Sequence, residues 1–254
     1  MRKTMVALLV SVVFALGACA PMASDSSSIA LPDDYAPVPI PAITATSIPT
    51  PVGHMSVTAL NSSVQVFDGP GIGTRELVLH QEDFIYGDTR LTFGVISRQG
   101  DWLQVMLPGR PNGSTGWISI HDVWVDSTSF SIVVDKSDKI LILNQGSQEV
   151  ERFDVGTGKP STRTPTGMFY VFWRSAVIPA DGPYGPYQLV LNAHSEDMEM
   201  FNAFGAWIGA HGTNDPSSIG EEASNGCIHM FNSDIARLFE YYDIPVGTPV
   251  EIRE

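Results

Sequence analysis

The sequence predicts a mainly β protein: two consecutive β modules, with one short helix near the C-terminus. Short alternating apolar runs separated by turn residues fill residues 55–126, and similar runs continue from residue 129. Near the end, Ile235, Leu238 and Tyr242 instead follow the spacing of one helical face. With 254 residues and 43% hydrophobic content, the chain can build one large or two small cores.

The N-terminal residues 1–18 have the composition of a secretory signal peptide. A basic start precedes an apolar run that ends at Leu16 and is short for a transmembrane span. The ending Leu-Gly-Ala-Cys19 resembles a bacterial lipobox. That resemblance implies cleavage before Cys19 and lipid on its sulfur. An ordinary signal peptide cut near Ala18 or Ala20 is the alternative.

Residues 19–54 are predicted to form a tether, because prolines recur there among Ser, Thr and Ala without a helical or strand period. Together with the leader, the tether predicts an exported protein of the cell envelope that is held to a membrane by its lipid anchor only and faces the peptidoglycan. The formal charge of −14 argues against nucleic-acid binding, which needs Lys and Arg on the phosphates.

The first β module resembles bacterial SH3-like domains, which are often appended to wall enzymes. The resemblance rests on Gly-Asp-Trp-Leu-Gln-Val at residues 100–105 and on Gly-Trp-Ile at residues 116–118. It implies a small β-barrel over residues 55–126. Trp102 and Trp117 are interpreted as core residues, and a groove for peptide or glycan lined by tryptophans is the alternative interpretation.

In the second module the strand pattern resumes, with one long loop. Predicted elements are a hairpin of residues 131–134 and 139–143, a strand at 150–155, a surface loop at 172–185, a strand at 206–210, a helix capped by Asn232 or Ser233, and a last strand at 249–252. His194 falls at a predicted strand end and is interpreted as a structural histidine.

Cys227 is the only cysteine outside the leader region. A thiol becomes a good nucleophile when its pKa falls or a base removes its proton, and an imidazole commonly does this. His211 lies sixteen residues earlier, a spacing that suits two neighbouring strands joined by a loop. Gly226 permits close approach of the backbone to a substrate. A buried structural cysteine is the alternative.

Two segments resemble the signature of the YkuD-type L,D-transpeptidases of bacterial cell walls. They are His-Gly-Thr at residues 211–213 and Ser-Asn-Gly-Cys-Ile-His-Met at residues 224–230. Turn and strand motifs at 156–160 and 164–169 precede them in the family's order. The resemblance implies a YkuD-type β-sandwich or barrel catalytic domain over residues 129–254.

Site roles follow from this resemblance. It implies that Cys227 is the nucleophile, His211 the general base, and Gly212 and Ser224 the groups that orient the base and the nucleophile loop. The backbone N–H groups of Gly226 and Cys227 are candidate donors to the oxyanion.

Three further positions would contact substrate: Thr213, Asn225 and His229. Two of them depart from the commonest form of the signature, since His or Lys is frequent at the position of Asn225 and Arg at that of His229. A histidine, unlike an arginine, is mostly neutral at pH 7. His229 therefore predicts an activity that is weaker, or that is favoured at acid pH.

The reaction implied by the resemblance is a transfer between peptidoglycan stem peptides. The thiolate attacks the third residue of a tetrapeptide stem, D-Ala leaves, and an amine of another stem resolves the thioester into a 3→3 cross-link. With water as acceptor the site would be a carboxypeptidase. Carbapenem β-lactams are expected covalent inhibitors, and no metal or cofactor is required. Other possibilities are a wall-peptide hydrolase and an inactive peptidoglycan-binding lipoprotein.

Overall fold

The computed structural model describes residues 53–71, 77–81, 90–201 and 204–254. The predicted signal peptide, Cys19 and nearly all of the tether lie outside the described residues. Residues 49–254 group into one compact unit. In the described ranges the chain forms eighteen strands, two 3-10 helices (Ile120–Asp122 and Pro216–Ser218) and one short α-helix that continues into a π-helical turn. This content confirms the mainly β prediction. None of the helices in these ranges is long and apolar enough to cross a membrane.

Seven strands make up the N-terminal module. They are β1 (His54–Ala59), β2 (Ser63–Val66), β3 (Leu77–His80), β4 (Thr92–Gln99), β5 (Trp102–Met106), β6 (Thr115–Ser119) and β7 (Val123–Thr128). Five of them form an antiparallel sheet in the order β6-β5-β4-β1-β7, and β2 pairs with β3. Strand β5 shows the expected alternation, because Leu103 and Val105 are buried between more exposed neighbours.

The C-terminal module contains the remaining eleven strands. They are β8 (Phe130–Asp135), β9 (Ile140–Gln145), β10 (Gln148–Gly158), β11 (Gly167–Ala176), β12 (Tyr187–His194), β13 (Met200–Phe201), β14 (Phe204–Gly205), β15 (Trp207–His211), β16 (Glu222–Ser224), β17 (Ile228–Met230) and β18 (Pro249–Arg253). The sheet order is β16-β10-β17-β15-β12-β11-β18-β8-β9. Because β9 also pairs with β10, the sheet closes into a barrel. The predicted hairpin is confirmed as β8 and β9.

Strand β11 joins the cores of the two modules. Phe169 and Val171 are buried in the barrel core, while Tyr170 and Phe172 are buried in the core of the N-terminal module. Successive side chains of a strand point to opposite faces, so one strand supplies both cores. The hydroxyl of Tyr170 also donates to the carbonyl of Thr92 in β4 at 2.9 Å. The two modules therefore share buried aromatic side chains.

This sharing corrects the predicted surface loop at residues 172–185. Strand β11 continues to Ala176, and Phe172 is fully buried rather than exposed in a loop. Its ring stacks on Trp207 with 5.2 Å between ring centroids. The run was predicted as a loop because Pro and Gly accompany its aromatic residues, and burial of those aromatic residues against another module is a long-range effect.

The C-terminal helix is shorter and begins differently from the prediction. Helix α1 (Asn232–Ala236) continues into a single π-helical turn at Arg237–Tyr241. Its N-cap is Phe231, with no side-chain capping bond, so the predicted cap at Asn232 or Ser233 was wrong. Asn232 instead accepts a hydrogen bond from the backbone N–H of Thr213 at 2.9 Å.

Candidate active site

The predicted base, His211, is the last residue of β15. Its Nδ1 lies 2.6 Å from the carbonyl oxygen of Gly212. A carbonyl only accepts, so Nδ1 carries the proton and Nε2 carries the lone pair. Burial lowers the pKa of His211 to about 4, although the Gly212 carbonyl opposes this shift. The imidazole is therefore neutral at pH 7 and holds the tautomer that a general base needs.

The predicted nucleophile, Cys227, directly precedes β17. Strands β15 and β17 run parallel and adjacent, with Ala210 opposite Ile228. The thiol contacts the carbonyl oxygen of Trp207 at 3.8 Å. Burial raises the pKa of the Cys227 thiol, partly offset by a hydrogen bond from the backbone of Gly209. At rest the site thus combines a neutral thiol with a neutral imidazole.

Tyr184 lies beside both groups. Its ring is 4.8 Å from that of His211, measured between centroids. Burial, and then the charge of the Cys227 thiolate, raise the pKa of Tyr184. The sequence placed Tyr184 in an aromatic-rich loop without a role, whereas the fold brings it against the predicted base.

The loop before Cys227 is fixed by Ser224. Its hydroxyl donates to the carbonyl of Cys227 at 2.6 Å and accepts from the N–H of Gly226 at 3.0 Å. Ser224 thus bonds across the loop that leads to Cys227, and the carbonyl of Gly212 bonds to the ring of His211. The N–H of Gly226, predicted to donate to the oxyanion, bonds to the Ser224 hydroxyl in this conformation.

Two threonines brace the same loop from outside. The hydroxyl of Thr162 donates to the carbonyl of Ser224 at 3.1 Å, and that of Thr164 donates to the carbonyl of Gly226 at 2.9 Å. Gly226 has φ +114°, and a Cβ there would lie 2.9 Å from Ile208. Only glycine adopts this backbone readily, so the residue shapes the loop. The sequence alone did not reveal either threonine.

The His-Gly-Thr segment is held by α1. A Cβ on Gly212 would collide with the side-chain oxygen of Asn232, which receives the Thr213 N–H. The buried Thr213 hydroxyl accepts from the N–H of Asp215 at 3.0 Å. Thr213, predicted to contact substrate, thus also bonds within the turn that follows it. Asn232 was missed because a residue at a helix start gives no sequence signal for a contact with a distant loop.

His229 lies beside the base, with its ring 5.1 Å from that of His211 between centroids. The Ser218 hydroxyl donates to the Asp215 carbonyl at 2.7 Å, so it accepts from Nδ1 of His229 at 2.9 Å. Burial lowers the pKa of half-buried His229, and Asp215 opposes that shift. His229 is thus neutral at pH 7 with its Nε2 unprotonated.

Asn225 occupies the exposed rim of the nucleophile loop. Its side-chain oxygen accepts a hydrogen bond from the Lys159 ammonium at 2.9 Å. Among the described residues, no group of three or more His, Cys, Asp or Glu side chains is placed to hold a metal ion.

Comparison with known proteins agrees with this geometry. The YkuD family model, described as the L,D-transpeptidase catalytic domain, matches residues 129–252. The putative L,D-transpeptidase YkuD of Bacillus subtilis (strain 168) is 33% identical over 148 residues, which cover 58% of this chain and 73% of that protein. The chain belongs to the YkuD family of L,D-transpeptidases. Membership places it among transferase-type enzymes.

Other proteins match about half to two thirds of this chain. The putative L,D-transpeptidase YkuD of Bacillus licheniformis is 34% identical over 156 residues, covering 59% of this chain and 85% of that protein. A solved structure, Bd1075 of Bdellovibrio bacteriovorus, is 26% identical with a TM-score of 0.39, and the match covers 50% of this chain and 48% of that chain. The L,D-transpeptidase of Mycobacterium smegmatis is 16% identical with a TM-score of 0.37, covering 62% and 80%.

Proposed function

We propose that this chain is a peptidoglycan L,D-transpeptidase that forms 3→3 cross-links through a thioester on Cys227. One observation carries the proposal: a neutral imidazole with a fixed tautomer ends β15, Cys227 directly precedes the neighbouring strand β17, and hydrogen bonds hold the loop that leads to Cys227. Family membership supports the acyl-transfer chemistry.

Acylation begins when the donor stem enters the site. Nε2 of His211 takes the thiol proton of Cys227 as sulfur bonds to the carbonyl carbon of the third stem residue. The oxyanion that forms is stabilised by the backbone N–H of Cys227, since the N–H of Gly226 is committed to Ser224. The intermediate collapses as the proton on His211 passes to the nitrogen of D-Ala, which leaves.

Deacylation repeats these steps with an incoming amine. His211 removes a proton as the acceptor nitrogen attacks the thioester carbonyl, the carbon–sulfur bond breaks, and the thiolate regains its proton. Because the free enzyme has a raised thiol pKa and a lowered imidazole pKa, proton transfer is unfavourable until substrate supplies an electrophile. The thiol therefore stays protonated between turnovers.

The N-terminal segments suit an enzyme that acts on the cell wall. In this proposal Cys19 carries lipid, residues 19–54 span from the membrane, and residues 55–126 form an SH3-like module. The enzyme would then act on stem peptides from a membrane-held position in the cell envelope.

Acylation of Cys227 tests the proposal directly. The full chain, purified in detergent, is incubated with a carbapenem and its intact mass is measured beside that of Cys227→Ala. We expect one adduct in the parent protein and none in the variant, because an activated thiol opens the strained lactam. Absence of an adduct in both would overturn the nucleophile assignment.

Product analysis then identifies the acceptor. A disaccharide-tetrapeptide is supplied with and without a second stem that bears a free side-chain amine. A cross-linked dimer with release of D-Ala supports the transpeptidase. Formation of only the tripeptide in both reactions would favour the carboxypeptidase.

A further inference from the structure

A short segment of the barrel contacts the N-terminal module on one side and the support of the nucleophile loop on the other. This bridging segment, residues 194–199, follows from the end of β12 and leads into β13. It contains no residue of the sequence signature. Its contacts reach from the loop between β5 and β6 to the loop between β10 and β11.

On the first side, Asn112 pairs with the backbone of His194. The Asn112 amide nitrogen donates to the His194 carbonyl at 2.8 Å, and its oxygen accepts from the His194 N–H at 2.8 Å. The imidazole of His194 also donates through Nε2 to the carbonyl of Pro108 at 2.8 Å. These three bonds hold the start of the bridging segment against the N-terminal module.

Arg110 holds the rest of the segment. Its guanidinium donates to the carbonyl of Ser195 at 2.7 Å and to that of Met198 at 2.8 Å. The Ser195 hydroxyl meanwhile accepts from the N–H groups of Asp197 and Met198 at 3.2 and 3.1 Å. The turn that carries Asp197 is therefore shaped by a side chain of the other module.

On the second side, Asp197 receives three hydrogen bonds from Arg163. Its carboxylate accepts from the backbone N–H at 2.7 Å, from Nε at 3.2 Å and from Nη2 at 2.8 Å. Arg163 lies between Thr162 and Thr164, whose hydroxyls hold the carbonyls of the nucleophile loop. Hydrogen bonds and short stretches of backbone thus connect the N-terminal module to the loop that carries Cys227.

We propose that Arg163 and Asp197 are positioning residues that connect the N-terminal module to the nucleophile loop. The inference rests on the proposed function, because it concerns the placement of the Cys227 thiol. Without the pair, the threonine-bearing loop loses its attachment to the bridging segment. A misplacement of about 1 Å is enough to slow a reaction on the order of 100-fold.

Single substitutions separate this role from general stabilisation. In the full chain, Arg163→Gln and Asp197→Asn are each expected to lower the rate constant for carbapenem acylation about 10-fold. Arg163→Lys restores part of that rate, because a lysine still reaches the carboxylate. The matched control is Arg152→Gln, which breaks an ion pair of Arg152 with Glu149 on β10, where both side chains are exposed. It is expected to leave the rate unchanged, as exposed pairs contribute little to stability.

A double substitution tests the connection to the N-terminal module. If Arg110 acts through the bridging segment, Arg110→Gln slows acylation in the parent protein but adds little in the Arg163→Gln background. If the fold-changes of the two single variants instead multiply in the double variant, the two arginines act independently. Either that result or unchanged rates in both Arg163 and Asp197 variants overturns the inference.

Alkylation of Cys227 by iodoacetamide separates failure of this inference from failure of the proposed function. Loosening the loop relaxes the burial that raises the thiol pKa, so the alkylation profile of Asp197→Asn shifts to lower pH while the melting temperature stays unchanged. A merely structural role leaves that profile in place. If carbapenem fails to acylate the parent protein while the profile still shifts, the proposed function is wrong and the positioning role stands.

Discussion

His194 and His211 lie at opposite ends of one antiparallel strand pair, and they differ in access to a reactive group. In the β12–β15 register, His194 faces Trp207 and Gln188 faces His211. Both histidines are buried, and burial lowers the pKa of each. Each donates one ring N–H to a backbone carbonyl, of Pro108 and of Gly212 respectively.

The second ring nitrogen distinguishes them. Nδ1 of His194 is buried without a hydrogen-bond partner among the described residues, and its ring packs 4.1 Å from that of Trp207. His211 lies among Tyr184, His229 and the strand that follows Cys227. Burial and a backbone bond thus make a neutral histidine, but only a neighbouring nucleophile makes that histidine a candidate base.

The largest expected effect tests the difference between His194 and His211 directly. His211→Gln should slow carbapenem acylation about 1,000-fold, within the range for loss of a general base. His194→Gln should change that rate less than about 3-fold, because glutamine keeps a donor for Pro108 and the Nδ1 that it replaces has no hydrogen-bond partner among the described residues. Stopped-flow absorbance of the lactam measures both. Similar losses in the two variants would contradict the distinction.

Removing the brace of the nucleophile loop should have a smaller effect. Thr164→Val keeps the side-chain shape but loses the bonds to Gly226 and to the N–H of Gly158. We expect acylation to slow by about 10- to 100-fold, as for other losses of positioning. The exposed Thr166→Val serves as the control. Equal rates in the two variants would show that the loop holds its shape without the hydroxyl.

Stability should fall as pH decreases, because His211 is neutral in the folded protein. Its pKa is lowered from 6.5 to about 4, so the unfolded chain binds more protons between those values. The stabilisation is complete above pH 6.5 and declines towards pH 4, by about 3 kcal/mol for this residue. Urea unfolding of the parent and His211→Gln across that range measures the change. The variant should show the shallower decline.

The smallest expected effect concerns His229. His229 is neutral at pH 7 and becomes protonated only at acid pH, since burial lowers its pKa. We expect transpeptidation by the parent to rise a few-fold as pH falls towards 5, and His229→Arg to flatten that profile. His121→Arg, at a highly exposed histidine, is the control. An unchanged profile in His229→Arg would exclude this role.

Local patterns were enough for several β strands and for the candidate chemistry of the site. Alternating residues identified β8, β9 and β18, because a half-buried strand has a period of two whatever it packs against. Cys227 and His211 were identified by residue type and motif. Their neighbourhood followed from a spacing that suits adjacent strands, which the β15–β17 pairing confirms.

Contacts between distant segments decided the rest. The burial of Phe172 differs from the prediction. The bonds from Thr213 to Asn232 and from the Gly226 N–H to Ser224 were not predicted. Each of these contacts depends on which groups lie close together once the barrel has closed. The identity of a polar residue does not indicate its hydrogen-bond partner. Residue identity therefore determined the available chemistry. The closed barrel and its shared core with the N-terminal module determined which side chains hold the site in place.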